Sequence, residues 1–214
     1  MQKAILISLF AILFSAGLGC QEVGSFVDRL NGKNPIWALK KMEDPDFPDE
    51  RREGINYLAD QSFARRPPWT TRYQQIASDD PDYTVRAAAV RALNRARDKT
   101  ATPVFIAALS DRNDLVRLEA AKALANVPDS KSVDPLTKIV ANPVEGRDLR
   151  IAAADALRHY RDVGAARSLV SVLNGKEFGV AWQARHSLRT LTGHDMRYDE
   201  RAWLIYLTSH NPFS

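Results

Sequence analysis

Four stretches of this chain superimpose on one another without gaps: Val85 to Leu93, Val116 to Leu124, Leu149 to Leu157 and Val180 to Leu188. Their starts are separated by 31, 33 and 31 residues, and a looser copy, Glu50 to Leu58, begins 35 residues before the first. In the four clear copies the first position is aliphatic, the fifth small, the eighth small and the ninth leucine. Offsets of 0, 4, 7 and 8 share one face of a 3.6-residue helix. The fifth column reads Gly54, Ala89, Ala120, Ala153 and Ala184, which predicts close approach of a neighbouring helix all along the repeat. A fixed period of this kind is the mark of a solenoid.

The second column reads Arg51, Arg86, Arg117 and Arg150, and ends in Ala181. Asp80 and Asp111 precede two of these arginines in the turn. The pattern predicts a structural ladder of charge-assisted hydrogen bonds and helix caps. Each repeated helix follows another apolar-periodic segment: Ile36 to Met42, Trp69 to Ala77, Pro103 to Leu109, Pro135 to Val140 and Ala165 to Leu173. Pro103 and Pro135 fall in the first turn, where the missing amide is no loss. The connections are rich in Asp, Asn, Gly and Pro, so each unit is a helical hairpin.

An early proline in the first helix, an acidic turn, a Val-Arg start and an Ala-Ala-x-Ala-Leu ending together resemble HEAT repeats, of the short phycobilisome-lyase-like kind, over residues 34–191. The resemblance implies an all-α chain: an α-solenoid of about five HEAT-like hairpins whose second helices line a concave surface. Leu191 to Trp203 are similar to tails that close HEAT-type proteins of exported bacterial families, and residues 192–214 are expected to form a C-terminal capping segment. There Gly193 is expected to end the fifth hairpin and Asp199 to cap a last helix carrying Trp203, Leu204 and Leu207, which covers the open end of the core. About eleven helices are expected beyond the leader.

The leader is the start of the chain. Lys3 precedes an apolar run from Ala4 to Leu18 that stops at Gly19-Cys20, the layout of a secretory signal. At about 1.5 Å per residue the run spans roughly 24 Å, short of the roughly 30 Å hydrocarbon core. The sole cysteine follows a small residue, which resembles the lipobox of bacterial lipoproteins, whose thiol is acylated and becomes the mature N-terminus. Residues 1–19 are therefore expected to be a signal peptide and 20–33 a lipidated N-terminus and linker. Cys20 is the expected anchor, placing the protein in the bacterial cell envelope, facing the periplasm or exterior.

Composition narrows the remaining chemistry. With 45% hydrophobic and 26% charged residues among 214, the chain has the balance of a folded domain. A single cysteine excludes an intramolecular disulfide framework and any multi-cysteine zinc site. The formal charge of +4 falls by one when Lys3 leaves with the signal, too little for the many phosphate contacts on which nucleic-acid affinity depends. No nucleic-acid partner is expected. No His-Glu dipeptide occurs, so the iron-binding pattern of HEAT-type hydroxylases is absent, as are H-E-x-x-H, a glycine-rich phosphate loop and G-x-S-x-G. Neither a metal nor a cofactor is expected.

His159 and His186 fall on second helices as surface or packing residues, while His194 and Asp195 sit in a turn, where backbone hydrogen bonding is expected. Asp155 and His186 share a repeat position, which predicts an acid–imidazole pair across adjacent helices without a nucleophile beside it. The second-helix positions not claimed by the core are more telling. At offset 2 stand Arg52, Ala87, Leu118, Ile151 and Trp182, and at offset 6 Arg91, Lys122, Asp155 and His186. An apolar strip rimmed by polar groups is the pattern of a protein-recognition groove. The alternative is that Leu118 and Ile151 pack against neighbouring repeats. Arg65, Arg66, Arg91, Arg95 and Arg97 form a mild basic patch, either solvated or open to an acidic ligand.

These readings converge on a non-catalytic, monomeric, membrane-tethered scaffold. It would bind a protein or peptide through Leu118, Lys122, Ile151, Asp155, Trp182 and His186. The alternative, drawn from the name of the repeat type alone, is an accessory lyase or ligand-binding protein for a tetrapyrrole-like molecule.

Overall fold

The computed structural model describes residues 34–209, with Gly32 and Phe213. The signal peptide, Cys20 and the linker after it, Gly32 apart, lie outside the described residues. Among the described residues there are eleven α-helices and no strand. They are α1 (Pro35–Met42), α2 (Pro48–Asp60), α3 (Trp69–Asp79), α4 (Tyr83–Ala96), α5 (Thr102–Ala108), α6 (Asp114–Asn126), α7 (Val133–Ala141), α8 (Arg147–Leu157), α9 (Val163–Val170), α10 (Phe178–Thr192) and α11 (Glu200–Ser209). The chain is an all-α solenoid, and it divides into two compact units at Leu58 and Ala59.

In the first unit α1 meets α2 at Gly54. A Cβ on this glycine would come within 2.4 Å of the Ala38 carbonyl oxygen and 2.5 Å of the Met42 amide nitrogen. Hydrogen is the only substituent this approach admits. Ala38, Met42, Ile55 and Leu58 are buried around it, and Trp37 meets Tyr57 edge-on at 5.7 Å.

In the second unit the first helices α3, α5, α7 and α9 lie against the second helices α4, α6, α8 and α10, and each second helix packs on the next. The predicted columns are the core. Val85, Val116, Leu149 and Val180 are buried at the first position, Ala89, Ala120, Ala153 and Ala184 at the fifth, and Leu93, Leu124, Leu157 and Leu188 at the ninth. The eighth column is Ala92, Ala123, Ala156 and Ser187. Ser187, its one polar member, donates to the Ala154 carbonyl at 2.7 Å, so the hydroxyl is buried with its hydrogen bond made.

The arginine column forms the ladder, with one change of partner. Arg86 grips both carboxylate oxygens of Asp111 at 2.8 Å, in the next repeat's turn, and donates to the Asp80 carbonyl at 2.9 Å in its own. Arg117 repeats this with Glu145 at 2.8 Å and the Asp111 carbonyl at 3.0 Å. Arg150 does so with Glu177 and the Val140 carbonyl. Arg86 and Arg117 thus each join two successive turns, Arg150 joins the end of α7 to the next turn, and Ala181 replaces arginine in the last repeat. The expected capping role of Asp80 and Asp111 falls instead to Asp82 and Asn113, which accept the Thr84 amide at 2.8 Å and the Leu115 amide at 2.9 Å. Asp80 and Asp111 stand two residues too early for that geometry, and they accept the amides of the capping residues themselves.

The tail closes the stack. Gly193 ends α10 in the left-handed conformation, at φ 74°, and Asp199 accepts the Ala202 amide at 2.9 Å at the start of α11. Trp203 and Leu207 are buried, and α11 packs on α9. Leu204 departs from expectation. It stays 40% exposed, because Trp203 and Leu207 already fill the inward stripe one turn apart.

Candidate binding face of the second helices

With the core at offsets 0, 4, 7 and 8, the residues at offsets −1, 2 and 6 point away from the first helices. Ala87 is fully buried, so the apolar strip begins at Leu118. Leu118 is half-buried at the edge of an open depression of about 650 Å³ whose wall includes Leu115, Arg147, Leu149 and Glu177. Ile151 is half-buried too, and its Cδ1 packs over Gly179 of α10, where a Cβ would come within 3.1 Å. Ile151 therefore packs against the neighbouring repeat and still shows part of its surface.

Trp182 ends the strip and is 50% exposed. Its ring lies parallel to His186, with centroids 5.7 Å apart and planes 3° from parallel. One turn earlier Phe178 is 70% exposed, and its ring is 6.5 Å from Tyr198. Arg185 lies over the Tyr198 ring at 5.2 Å and grips Asp195 at 2.9 and 2.6 Å. The Arg185 hydrogen bond holds the Asp195 carboxyl far below the usual carboxylate range. Phe178 and Tyr198 were not among the sequence candidates. The spacing of Phe178, Trp182 and His186, four residues apart on one helix, is the signal that finds the first of them.

The predicted pair of Asp155 with His186 is not made. Gln183, buried at offset 3, donates to Asp155 at 2.9 Å, and Arg158 adds an ion pair at 3.1 Å. His186 is left to stack on Trp182. Lys122 likewise has a partner beneath it. The buried Glu119 accepts from Lys122 at 3.1 Å and from Arg91 Nε at 3.4 Å, drawing together cations from two helices. Of the basic patch, Arg95 pairs with Asp60, and Arg65, Arg66 and Arg97 are exposed.

His194 behaves as a turn residue, with its amide donating to Thr192 Oγ1 at 3.2 Å and Nδ1 at 2.9 Å from the Thr192 carbonyl oxygen. Burial lowers the His159 imidazole, which receives the Arg158 Nε–H at 3.1 Å. Among the described residues no group of three or more His, Cys, Asp or Glu is placed to hold a metal, and no helix is long and apolar enough to cross a membrane.

Residues 71–158, from α3 through α8, match the HEAT repeat family. These are HEAT repeats. The fold is similar to that seen in the complex of CpcE and CpcF of phycocyanin lyase from a Nostoc species, with a TM-score of 0.66 and 21% identity over 75% of this chain and 66% of that one. It is also similar to YibA of Escherichia coli, with a TM-score of 0.60 and 19% identity over 72% of this chain and 58% of that one. An engineered protein gives 0.59 and 18% identity over 84% of this chain and 92% of its own. The chain thus spans 66% and 58% of the two natural proteins, and at these identities the likeness is one of fold. No curated protein matches the chain.

Proposed function

We propose that this HEAT-repeat chain is a non-catalytic interaction scaffold, tethered to the bacterial envelope by an acylated Cys20. It binds a protein or peptide along the concave face that the second helices of HEAT-like stacks provide. Leu118, Ile151 and Trp182 form the apolar floor, flanked by Lys122, Asp155 and His186. The observation that carries this reading is Trp182. A tryptophan half-open to solvent, stacked on a histidine and continuing an apolar strip, is the residue type on which binding energy concentrates.

The test is affinity capture from detergent-solubilised membranes with wild-type chain and Trp182→Ala, reading co-purified proteins and visible absorbance together. A protein partner whose capture falls roughly 30-fold, about 2 kcal/mol, supports the groove. Equal capture by both chains overturns it at this position. A bound pigment would instead favour the lyase or tetrapyrrole reading, which rests on likeness of fold alone. Anchoring is tested separately: Cys20→Ala should lose acyl label and leave the membrane fraction, and full retention of both refutes the tether.

A further inference from the structure

Arg91, Glu119 and Lys122 lie at the end of the strip opposite Trp182, and three observations set them apart from the other charges of this face. The Glu119 side chain is 8% exposed, whereas those of Arg91 and Lys122 are 37% and 49% exposed. One carboxylate is thus sunk beneath two cations, leaving an excess positive charge. Arg91 spends only its Nε–H on Glu119, at 3.4 Å, and its terminal amino groups take no partner among the described residues. In the middle of the strip Asp155 is already engaged by Arg158 and Gln183, and at the Trp182 end the carboxylate that Arg185 and Arg189 share, Asp195, is 31% exposed and belongs to the turn after α10, not to a second helix.

We infer that Arg91 and Lys122 form a carboxylate-binding subsite, and that the partner of this face is an extended peptide carrying an acidic residue at a fixed distance from an aromatic or large apolar one. This rests on the groove reading above and adds chemistry and polarity to it. The acid replaces water on the exposed N–H groups of Arg91 and Lys122, where hydrogen bonds to a charged acceptor are stronger than neutral ones. The apolar side chain lies over Ile151 and Trp182. Spacing follows from the stack. Two steps between neighbouring second helices, at roughly 8–10 Å each, separate α6 from α10. An extended chain rising about 3.3 Å per residue covers that span in about five or six residues. Glu119 holds the two cations side by side while the apolar middle of the strip repels neither end of the peptide.

Selection of a random ten-residue displayed peptide library on the immobilised full chain tests this. The expected winners carry Asp or Glu, enriched about fivefold or more, some five or six residues from Phe, Trp, Tyr or Leu. On the double variant R91E/K122E the same spacing should select Lys or Arg instead, an outcome that a misfolded protein does not produce. Trp182→Ala should keep the acidic preference and lose the aromatic one. Aromatic winners with no acidic preference, unchanged by the charge reversal, overturn the subsite and leave the groove standing. No enrichment on the wild-type chain overturns the groove and the subsite together.

Discussion

Ala120 and Lys122 stand two residues apart on α6 and belong to columns of opposite character. The column of Ala120 is Ala89, Ala120, Ala153 and Ala184, all fully buried. That of Lys122 is Arg91, Lys122, Asp155 and His186, one side chain of each kind and all at least partly open. The inward positions of the repeat meet nearly the same neighbours in every copy, so side chains of nearly one size recur at each of them. No neighbour constrains the outward positions in that way, and variation among them is where this chain differs from a generic stack. The inward columns therefore explain the fold, and the outward ones are the place to seek its partner.

The sharpest way to break this division is to remove a large inward group. Trp203 on α11 is fully buried, and its indole N–H donates to the Arg197 carbonyl at 3.1 Å. Trp203→Ala should cost about 3–5 kcal/mol in denaturant unfolding, the usual price of an emptied aromatic site. A loss below about 1 kcal/mol would mean that α11 does not close the stack.

Arg86→Ala should come next, at about 3 kcal/mol, because it strands the partly buried Asp111 without its guanidinium. The same pair predicts a pH dependence. Burial raises the Asp111 carboxyl, but hydrogen bonds from Arg86 and the Asn113 amide outweigh it and leave the carboxyl below its ordinary value. A lowered folded value stabilises the protein above the unfolded aspartate range, near pH 4, and that contribution is lost as pH falls through the folded value. Asp111→Asn should therefore flatten the acid side of the stability profile while lowering stability at neutral pH. An unchanged acid limb refutes the ladder's share in it.

Ala120→Leu tests the small column directly. It forces three more carbons between helices that leave no space for them, at about 1–3 kcal/mol. Gln substituted for Lys122 should cost less, no more than about 1 kcal/mol, because Arg91 still donates to the buried Glu119 and the Gln amide keeps a donor beside it. Equal melting shifts for the two would invert the assignment of faces.

Most of the fold was legible in the sequence because stacking repeats a single set of contacts, and repetition turns contacts into columns. The hairpins, the arginine ladder, Gly193 and Asp199 all follow from local pattern. What escaped was set by neighbours outside the repeated register. The acid gripped by each arginine comes from the next turn, whose length varies, so Asp111, Glu145 and Glu177 stand five, four and three residues before the start of their repeats and form no column. Gln183, which takes Asp155, and Glu119 both stand in the offset-3 column, and Ala88, Glu119, Ala152 and Gln183 follow no single chemistry that a repeat pattern would show. Tyr198 reaches Phe178 only through the fold of the tail.

Trp182→Ala gives a small stability effect and the finest test of the comparison. Its ring is half in solvent and its aromatic neighbour is the partly open His186, so truncation removes little buried surface. We expect a loss under about 1 kcal/mol, where Trp203→Ala costs several times as much. The indole of Trp203 donates to the Arg197 carbonyl, whereas the buried polar side chains of α10, Gln183 and Ser187, bond to one another and to α8 without Trp182. Chemical unfolding of both variants under one condition decides the matter. If Trp182→Ala is as destabilising as Trp203→Ala, Trp182 is a packing residue and the strip is part of the core. A small loss leaves an aromatic that the fold does not need, which is the property a binding anchor should have.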